Sequence, residues 1–361
     1  MTSRKDPFRG FKSVRKERLS RRQQEMKKQR VAVIFIAVFM LLILGVVSFG
    51  YISTFVLPPR KLVVRVDDTR YTMGDMIKIL RMMQLGSEFF GQRMDLSTVP
   101  FQIPLSLAQN EIIARNAPRY SLQVTDAEID QEIRSRLLPA PDPSQQVPQE
   151  QLDKEFKERY KQYINAIRLS EKEYRTVVKA DIFRTKMTEV IGQDIPKIAP
   201  QVHVFGISLG QSSANYNILK TKFKDGTPWA QLVKEFNQDA TLAQQKGDVG
   251  WFPQGIDPTL DELFFNTLKV GEISEALTES GGGQNNTVVY MVSEKVDARP
   301  IDDNNMQALK NKALQSWLDD QWDKFDIETH FTSDDYAWVA KQLGISSILP
   351  TPQANSQSPI R

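Results

Sequence analysis

The longest apolar segment of the chain lies near its start. Residues 31–57 contain no charged side chain, and as one helix they are long enough to cross a hydrocarbon core of about 30 Å. A cleaved signal peptide would have a shorter apolar part, of about 7–15 residues, before a small-residue cleavage site. The longer run ends at Leu57-Pro58-Pro59 and therefore predicts an uncleaved transmembrane helix over residues 31–57.

Helical periodicity and helix-start signals dominate residues 61–199. Residues 61–66 are β-prone, and after a turn at Asp67-Asp68 they predict a small hairpin. Three hydroxyl residues are each followed by an acid three positions later, the pattern of a capping box; these pairs are Thr72 with Asp75, Thr125 with Glu128, and Ser170 with Glu173. A proline-rich break at residues 139–148 separates two of the predicted helices. The pattern indicates one mostly helical unit.

Residues 200–300 have shorter apolar runs and more glycine. Gly247 and Gly250 are expected where the backbone turns tightly and enters a buried strand. Asp257 before Pro258 is typical of a helix start, with the acid as N-cap and the proline in the first turn. The apolar residues that follow lie at helical spacing: Leu260, Leu263, Phe264 and Leu268.

The pattern becomes helical again after residue 300. A helix that starts at Asp303 would place Met306, Leu309, Ala313 and Trp317 on one face. An isolated amphipathic helix needs a partner surface, and the unit before residue 199 is the nearest candidate. We therefore expect the C-terminal helix to pack back on that unit, which would make residues 201–300 an insertion.

Charge and composition restrict the classes of function. The first 30 residues hold twelve basic and three acidic side chains, whereas the remainder holds 35 basic and 41 acidic. A basic stretch beside a membrane span favours a cytoplasmic N-terminus and an extracytoplasmic remainder. The mildly acidic remainder has no nucleic-acid footprint. The chain has no cysteine and two histidines, His203 and His330, so we expect no disulfide, no cofactor and no metal site.

The run from Gly247 to Ser274 resembles the centre of a parvulin-type peptidyl-prolyl isomerase domain. The family pattern there reads G-D-L-G-W-F, G-Q, P-E-F-E-x-A-x-F and L-K-x-G-E-I-S, and this chain has Gly247-Asp248-Val249-Gly250-Trp251-Phe252 and Val270-Gly271-Glu272-Ile273-Ser274. The resemblance implies a small antiparallel sheet surrounded by helices that binds and isomerises X-Pro bonds.

The region before residue 199 is similar in motif order to the N-terminal chaperone region of SurA-like, PpiD-like and PrsA-like foldases. The segments that carry this similarity are L-x-x-A-Q-N-E-I-I, V-T-D-A-E-I-D and L-S-E-K-E-Y-R. Together the two resemblances imply an α+β fold in which a parvulin-like domain is inserted in a mostly helical chaperone region. The predicted parts are a basic cytoplasmic arm at 1–30, the transmembrane helix at 31–57, the SurA-like region at 61–199, the parvulin-like domain at 200–300, C-terminal helices completing the chaperone region at 301–345 and a disordered tail at 346–361.

The same resemblance assigns candidate site residues. Asp239 lies at the polar position that is Asp or Cys in parvulins, and it is the candidate catalytic residue; it is also a candidate turn or cap residue. The candidate contacts for a substrate proline are Val249, Trp251, Phe252, Ile256, Leu260 and Phe265, with Ile256 standing in for the family methionine. Of the large apolar residues in these motifs, at least two are expected simply to fill the interior.

Both family histidines are absent. Aligning residues 201–209 to the family's first strand places Gly206 where one histidine belongs, and residues 287–296 of the last strand contain no histidine. His203 is three residues from Gly206, so it is expected on the opposite face of the strand, without a catalytic role.

Two hypotheses follow from this pattern. The chain is either a membrane-anchored folding factor that binds unfolded or nascent exported proteins and isomerises their proline-containing segments, or a non-catalytic chaperone or assembly subunit with a degenerate parvulin domain.

Overall fold

The computed structural model describes residues 21–138, 148–211, 213–281 and 284–345. Most of the predicted basic arm, the proline-rich break and the predicted tail at 346–361 lie outside the described residues. The chain divides into two units, Met1–Leu62 with Thr72–Asp75 and Val63–Tyr71 with Met76–Arg361.

The first unit contains the long apolar helix. Helix α1 (Arg21–Tyr51) continues into a π-helical turn at Ile52–Val56 and a 3-10 turn at Pro58–Arg60. The stretch Ala32–Arg60 is long and apolar enough to cross a membrane, and its side chains are not buried by the protein. A signal sequence would satisfy the same criteria of length and composition.

A hairpin and five helices follow. They are β1 (Leu62–Val66), β2 (Thr69–Thr72), α2 (Met73–Phe89), α3 (Val99–Asn116), α4 (Asp126–Leu137), α5 (Gln149–Ile167) and α6 (Glu171–Ile191). The capping boxes predicted at Thr125 and Ser170 are both formed, because each hydroxyl accepts from the backbone N–H three residues later while that residue's carboxylate bonds back. These local contacts set where α4 and α6 begin.

A second sheet and its helices form the inserted module. Their bounds are β3 (Ile198–Ser208), α7 (Tyr216–Lys224), α8 (Trp229–Phe236), α9 (Ala240–Gln244), β4 (Asp248–Pro253), α10 (Pro258–Asp261), β5 (Leu277–Gly281) and β6 (Gln284–Pro300). The strand order is β4-β3-β6-β5 and the pairs are antiparallel. As predicted, the Asp257 carboxylate caps α10 by accepting from the Thr259 and Leu260 N–H groups; a π-helical turn at Glu262–Thr267 continues it.

The C-terminal segment returns to the helical body. It comprises α11 (Asp303–Trp322), β7 (Ile327–Thr329) and α12 (Ser333–Leu343). Strand β7 pairs antiparallel with β1, so the first sheet has the order β2-β1-β7 and three strands where the sequence predicted a two-stranded hairpin. On α11, the Trp317 indole donates to the Tyr120 hydroxyl at 2.8 Å. The expected return of the C-terminal helix is confirmed, and the fold is the predicted mostly helical α+β type.

Candidate functional site

The inserted sheet has a different set of apolar partners on each face. One face packs under α7 and α8, around buried residues that include Ile207, Leu232 and Val289. The other packs under the segment 260–268, around a cluster whose buried members are Val202, Val204, Phe264, Leu268, Val288, Tyr290 and Val292. We call this second surface the prolyl face, because most of the sequence-predicted proline contacts lie on it.

Four of the predicted substrate contacts converge on the prolyl face. Val249, Phe252, Leu260 and Phe265 all pack against its buried cluster and remain partly exposed. Leu263 and Leu277 complete the same half-exposed rim. The rim therefore offers apolar surface to solvent above a closed interior.

A β-bulge places two of these residues on one face. Val204 pairs with Gly250 and Phe205 pairs with Asp248, so Val249 is an extra residue on β4. In a regular strand without this bulge, Val249 and Phe252 would point to opposite faces, since they are three positions apart. Gly250 has φ +104 beside the bulge, which is why a glycine suits this position.

The position of the missing first histidine is filled by neighbours. A Cβ added to Gly206 would lie 3.0 Å from Val249 Cγ2 and 3.3 Å from Tyr290 Cε1. Tyr290 is the direct cross-strand partner of Gly206, and its ring packs edge-on against Phe264 at a centroid distance of 5.3 Å. A side chain at residue 206 would be crowded by both neighbours, and the tyrosine ring occupies the place beside it.

Tyr290 also brings a polar group to the prolyl face. Its hydroxyl donates to Glu279, an exposed residue on β5. Burial raises the pKa of Tyr290 above its ordinary value, and the hydrogen bond to Glu279 raises it further, so the hydroxyl stays protonated as the donor to Glu279. Sequence reasoning missed this residue because it compared only the histidine positions, and the pairing of Gly206 with Tyr290 depends on the register between two strands.

The other predicted site residues lie elsewhere. Asp239 is the N-cap of α9, where its carboxylate accepts from the Leu242 N–H at 2.8 Å, and its side chain is exposed; it has the cap role that the sequence left open. Ile256 is half-buried in the turn before α10 and is not among the residues packed on the prolyl face. Trp251 lies on the opposite face, where its ring stacks on His203 at 4.9 Å and Arg299 lies 4.2 Å from its centroid.

His203 takes part in a polar group on that opposite face. Its Nδ1 lies 2.9 Å from Ser293 Oγ and its Nε2 lies 3.0 Å from Asp248 Oδ1. The Ser293 hydroxyl also donates to the His203 carbonyl at 3.1 Å. This arrangement stabilises the pairing of β4, β3 and β6 and does not reach the prolyl face.

Comparisons with known proteins agree with the fold of the helical body. Residues 23–188 match the family model of the SurA-like N-terminal domain. The foldase protein PrsA of Geobacillus sp. (strain WCH70) is 28% identical over 207 residues, which cover 55% of this chain and 66% of the relative. The periplasmic chaperone PpiD of Haemophilus ducreyi is 33% identical over 75 residues, which cover 21% of this chain and 12% of that protein.

Solved structures of PrsA proteins are also similar. The crystal structure of PrsA from Bacillus anthracis has a TM-score of 0.37 and 16% identity, and the match covers 67% of this chain and 97% of that one. Residues 23–188 are thus similar to a SurA-like N-terminal domain, and the chain is similar in sequence to PrsA foldases.

Proposed function

We propose that this protein is a membrane-anchored extracytoplasmic folding factor that binds unfolded exported polypeptides and isomerises X-Pro bonds at the prolyl face. The observation that carries the proposal is the convergence of Val249, Phe252, Leu260 and Phe265 on one half-exposed apolar surface. The relatives are named foldase and periplasmic chaperone, which supports the binding of exported polypeptides.

Isomerisation of an X-Pro bond makes and breaks no covalent bond, so the protein can catalyse it by binding the twisted amide more tightly than the planar forms. Rotation about an X-Pro bond passes through a twisted amide that has lost its resonance and much of its charge separation. An apolar surface therefore stabilises the twisted form relative to either planar form. Leu260 and Phe265 would contact the prolyl ring, and the buried Tyr290 ring, whose hydroxyl donates to Glu279, would form the apolar floor beneath it.

A binding module without catalysis is the second candidate, and one observation favours it. Gly206 stands where the resemblance places one histidine, residues 287–296 contain none, and the Asp239 carboxylate caps α9. In that case the prolyl face would hold proline-containing segments and leave their isomerisation rate unchanged.

We predict that the double substitution Leu260→Ala, Phe265→Ala lowers kcat/KM for a proline peptide at least about thirtyfold, since the two apolar contacts are each worth about 1–3 kcal/mol and about 1.4 kcal/mol is tenfold in rate. The measurement is a protease-coupled proline-peptide assay on the full chain in detergent. Ile218→Ala is the matched control, because Ile218 is an exposed apolar residue on α7, on the other side of the sheet.

The assay also separates the two candidates. A parent rate equal to the blank, with aggregation of an unfolded client still suppressed, would reject catalysis and support the binding module. Equal loss of activity in the Ile218→Ala variant would show that the effect does not come from the prolyl face.

Membrane anchoring through residues 31–57, with the N-terminus in the cytoplasm, is part of the same proposal. It rests on the exposed apolar side chains of Ala32–Arg60 and on the basic residues that precede them. In an expressing cell, the protein should stay with the membrane pellet after alkaline carbonate washing and retain its own N-terminus. A mature chain that starts beyond residue 57 would identify the helix as a cleaved signal.

A further inference from the structure

A polar cleft lies on the helical body, outside the prolyl face. The proposed isomerase function uses none of its lining residues. The cleft has a volume of about 420 Å³ and lies between α6 and α11, a size in the range of about 300–1,000 Å³ that ligand sites occupy. Its lining is polar apart from Leu314: Arg184, Thr185, Thr188, Glu189, Gln307, Asn311 and Gln315.

Arg184 lines this cleft, and its direct hydrogen bonds go to neutral groups. Its Nε donates to Asn110 Oδ1 at 3.0 Å and its Nη2 donates to Gln109 Oε1 at 3.1 Å. Both acceptors are neutral amides, and Gln109 is itself buried. A guanidinium has five N–H groups, so Nη1 and one N–H of Nη2 remain for a ligand or solvent.

The nearby acids make their ion pairs with other bases, but Arg136 is shared between Glu132 and Asp181, so part of the Asp181 charge still acts on Arg184. Asp181 pairs with Arg136 at 3.0 Å, and Glu189 pairs with Lys310 at 2.5 Å. No ion pair in the described part of the chain includes Arg184. Burial lowers the pKa of Arg184 below its usual value, and Asp181 opposes that shift. A half-buried cation without a carboxylate partner is costly for the empty protein, and a bound anion would remove that cost.

The walls of the cleft fit one chemical class of anion. Glu189 is matched by Lys310, so the Arg184 guanidinium is the one lining charge without an ion-pair partner among the described residues; a single cation suits a monoanionic carboxylate better than a phosphate of higher charge. Gln307, Asn311 and Gln315 are exposed along the rim, and their amides offer both donors and acceptors, as a peptide backbone requires.

We propose that the cleft between α6 and α11 binds the carboxylate of a polypeptide, with the Arg184 guanidinium as the anion contact and the rim amides of α11 as backbone contacts. This site is separate from the prolyl face, so its occupation does not depend on isomerase activity. The carboxylate could come from a chain end or from an Asp or Glu side chain, and the experiment distinguishes these sources.

The test titrates the full chain in detergent with four probes and follows the ¹⁵N signal of Arg184 Nε. The probes are an N-acetylated Gly/Ser/Ala pentapeptide with a free terminal carboxylate, the same peptide ending in a carboxamide, a carboxamide peptide with one internal Glu, and inorganic phosphate. We expect the free acid to bind at least about tenfold more tightly than the amide, as charge-assisted hydrogen bonds do.

Two variants assign the effect to the cleft. Arg184→Gln should abolish the difference between acid and amide, with the binding followed by calorimetry. Lys312→Gln, which removes the same charge from an exposed position on α11, should keep it.

The outcomes are decisive in both directions. Preference for either acid over the amide supports the site, and the internal Glu peptide shows which kind of carboxylate it takes. The proposal would be overturned if neither acid peptide bound more tightly than the amide peptide, if Arg184→Gln kept the preference, or if phosphate bound more tightly than both acid peptides.

Discussion

Removal of residues 301–361 is expected to unfold the helical body, although it leaves every predicted capping box of that body in place. The deleted segment contributes β7 to the first sheet and two helices whose buried apolar residues are Leu309, Leu314, Leu318, Tyr336, Val339, Ala340 and Leu343. Each large side chain contributes about 1.5–3 kcal/mol when fully buried. Their sum is comparable to the whole net stability of a domain, about 5–15 kcal/mol.

The measurement is circular dichroism and urea unfolding of the truncated chain in detergent. Truncation after residue 345 is the control, because it keeps all of β7, α11 and α12. A cooperative unfolding transition in the 1–300 chain, at the denaturant concentration of the control, would contradict the discontinuous arrangement.

Restoring the family histidine at residue 206 is expected to destabilise the inserted module. Gly206→His would drive a side chain into Val249 Cγ2 and the Tyr290 ring, which lie 3.0 Å and 3.3 Å from the position of the added Cβ. Overpacking of this kind costs about 1–3 kcal/mol. We expect a lower urea midpoint, followed by tryptophan fluorescence, and no gain in isomerisation rate.

A double-mutant cycle tests the cause of that loss. Tyr290→Ala alone should also destabilise, because it leaves a cavity beside Phe264. In the combined variant the histidine can use the vacated space, so the double variant should lose less stability than the sum of the losses in the two single variants. Strict additivity, or a Gly206→His variant as stable as the parent, would show that Tyr290 does not fill the histidine position.

The features predicted correctly from the sequence are those that depend on neighbouring residues. Thr125, Ser170 and Asp257 form their caps because the hydroxyl or carboxylate and the backbone N–H that it serves are within three positions of each other. The long uncharged run and the helical periodicity are equally local. These signals were enough for the fold class.

The features that were missed depend on contacts between distant residues. Strand β7 has three residues, and only its pairing with β1 makes it a strand. Helix α3 begins at Val99 with Pro100 in its first turn and Pro104 within it, although prolines at this spacing favour a loop when the sequence is considered alone. Pro100 fits an N-terminal turn, where the missing N–H would have no partner in any case.

The candidate site was predicted in part, for a similar reason. The motif resemblance found Val249, Phe252, Leu260 and Phe265, which share the prolyl face. It also included Trp251, which the strand alternation of β4 places on the opposite face with His203. The bulge at Val249 and the pairing of Gly206 with Tyr290 are properties of the register between strands, and one strand's sequence does not contain that register.

The most direct test of the central claim, that the prolyl face holds a proline ring without imidazoles, is a methyl-NMR titration of the full chain in detergent. The titrants are an uncharged peptide with one proline and the same peptide with alanine in its place. We expect the methyl signals of Val249, Leu260 and Leu277 to shift with the proline peptide and much less with the alanine peptide, while Ile218 stays unchanged. Equal shifts with both peptides, or shifts confined to residues away from the prolyl face, would contradict the claim.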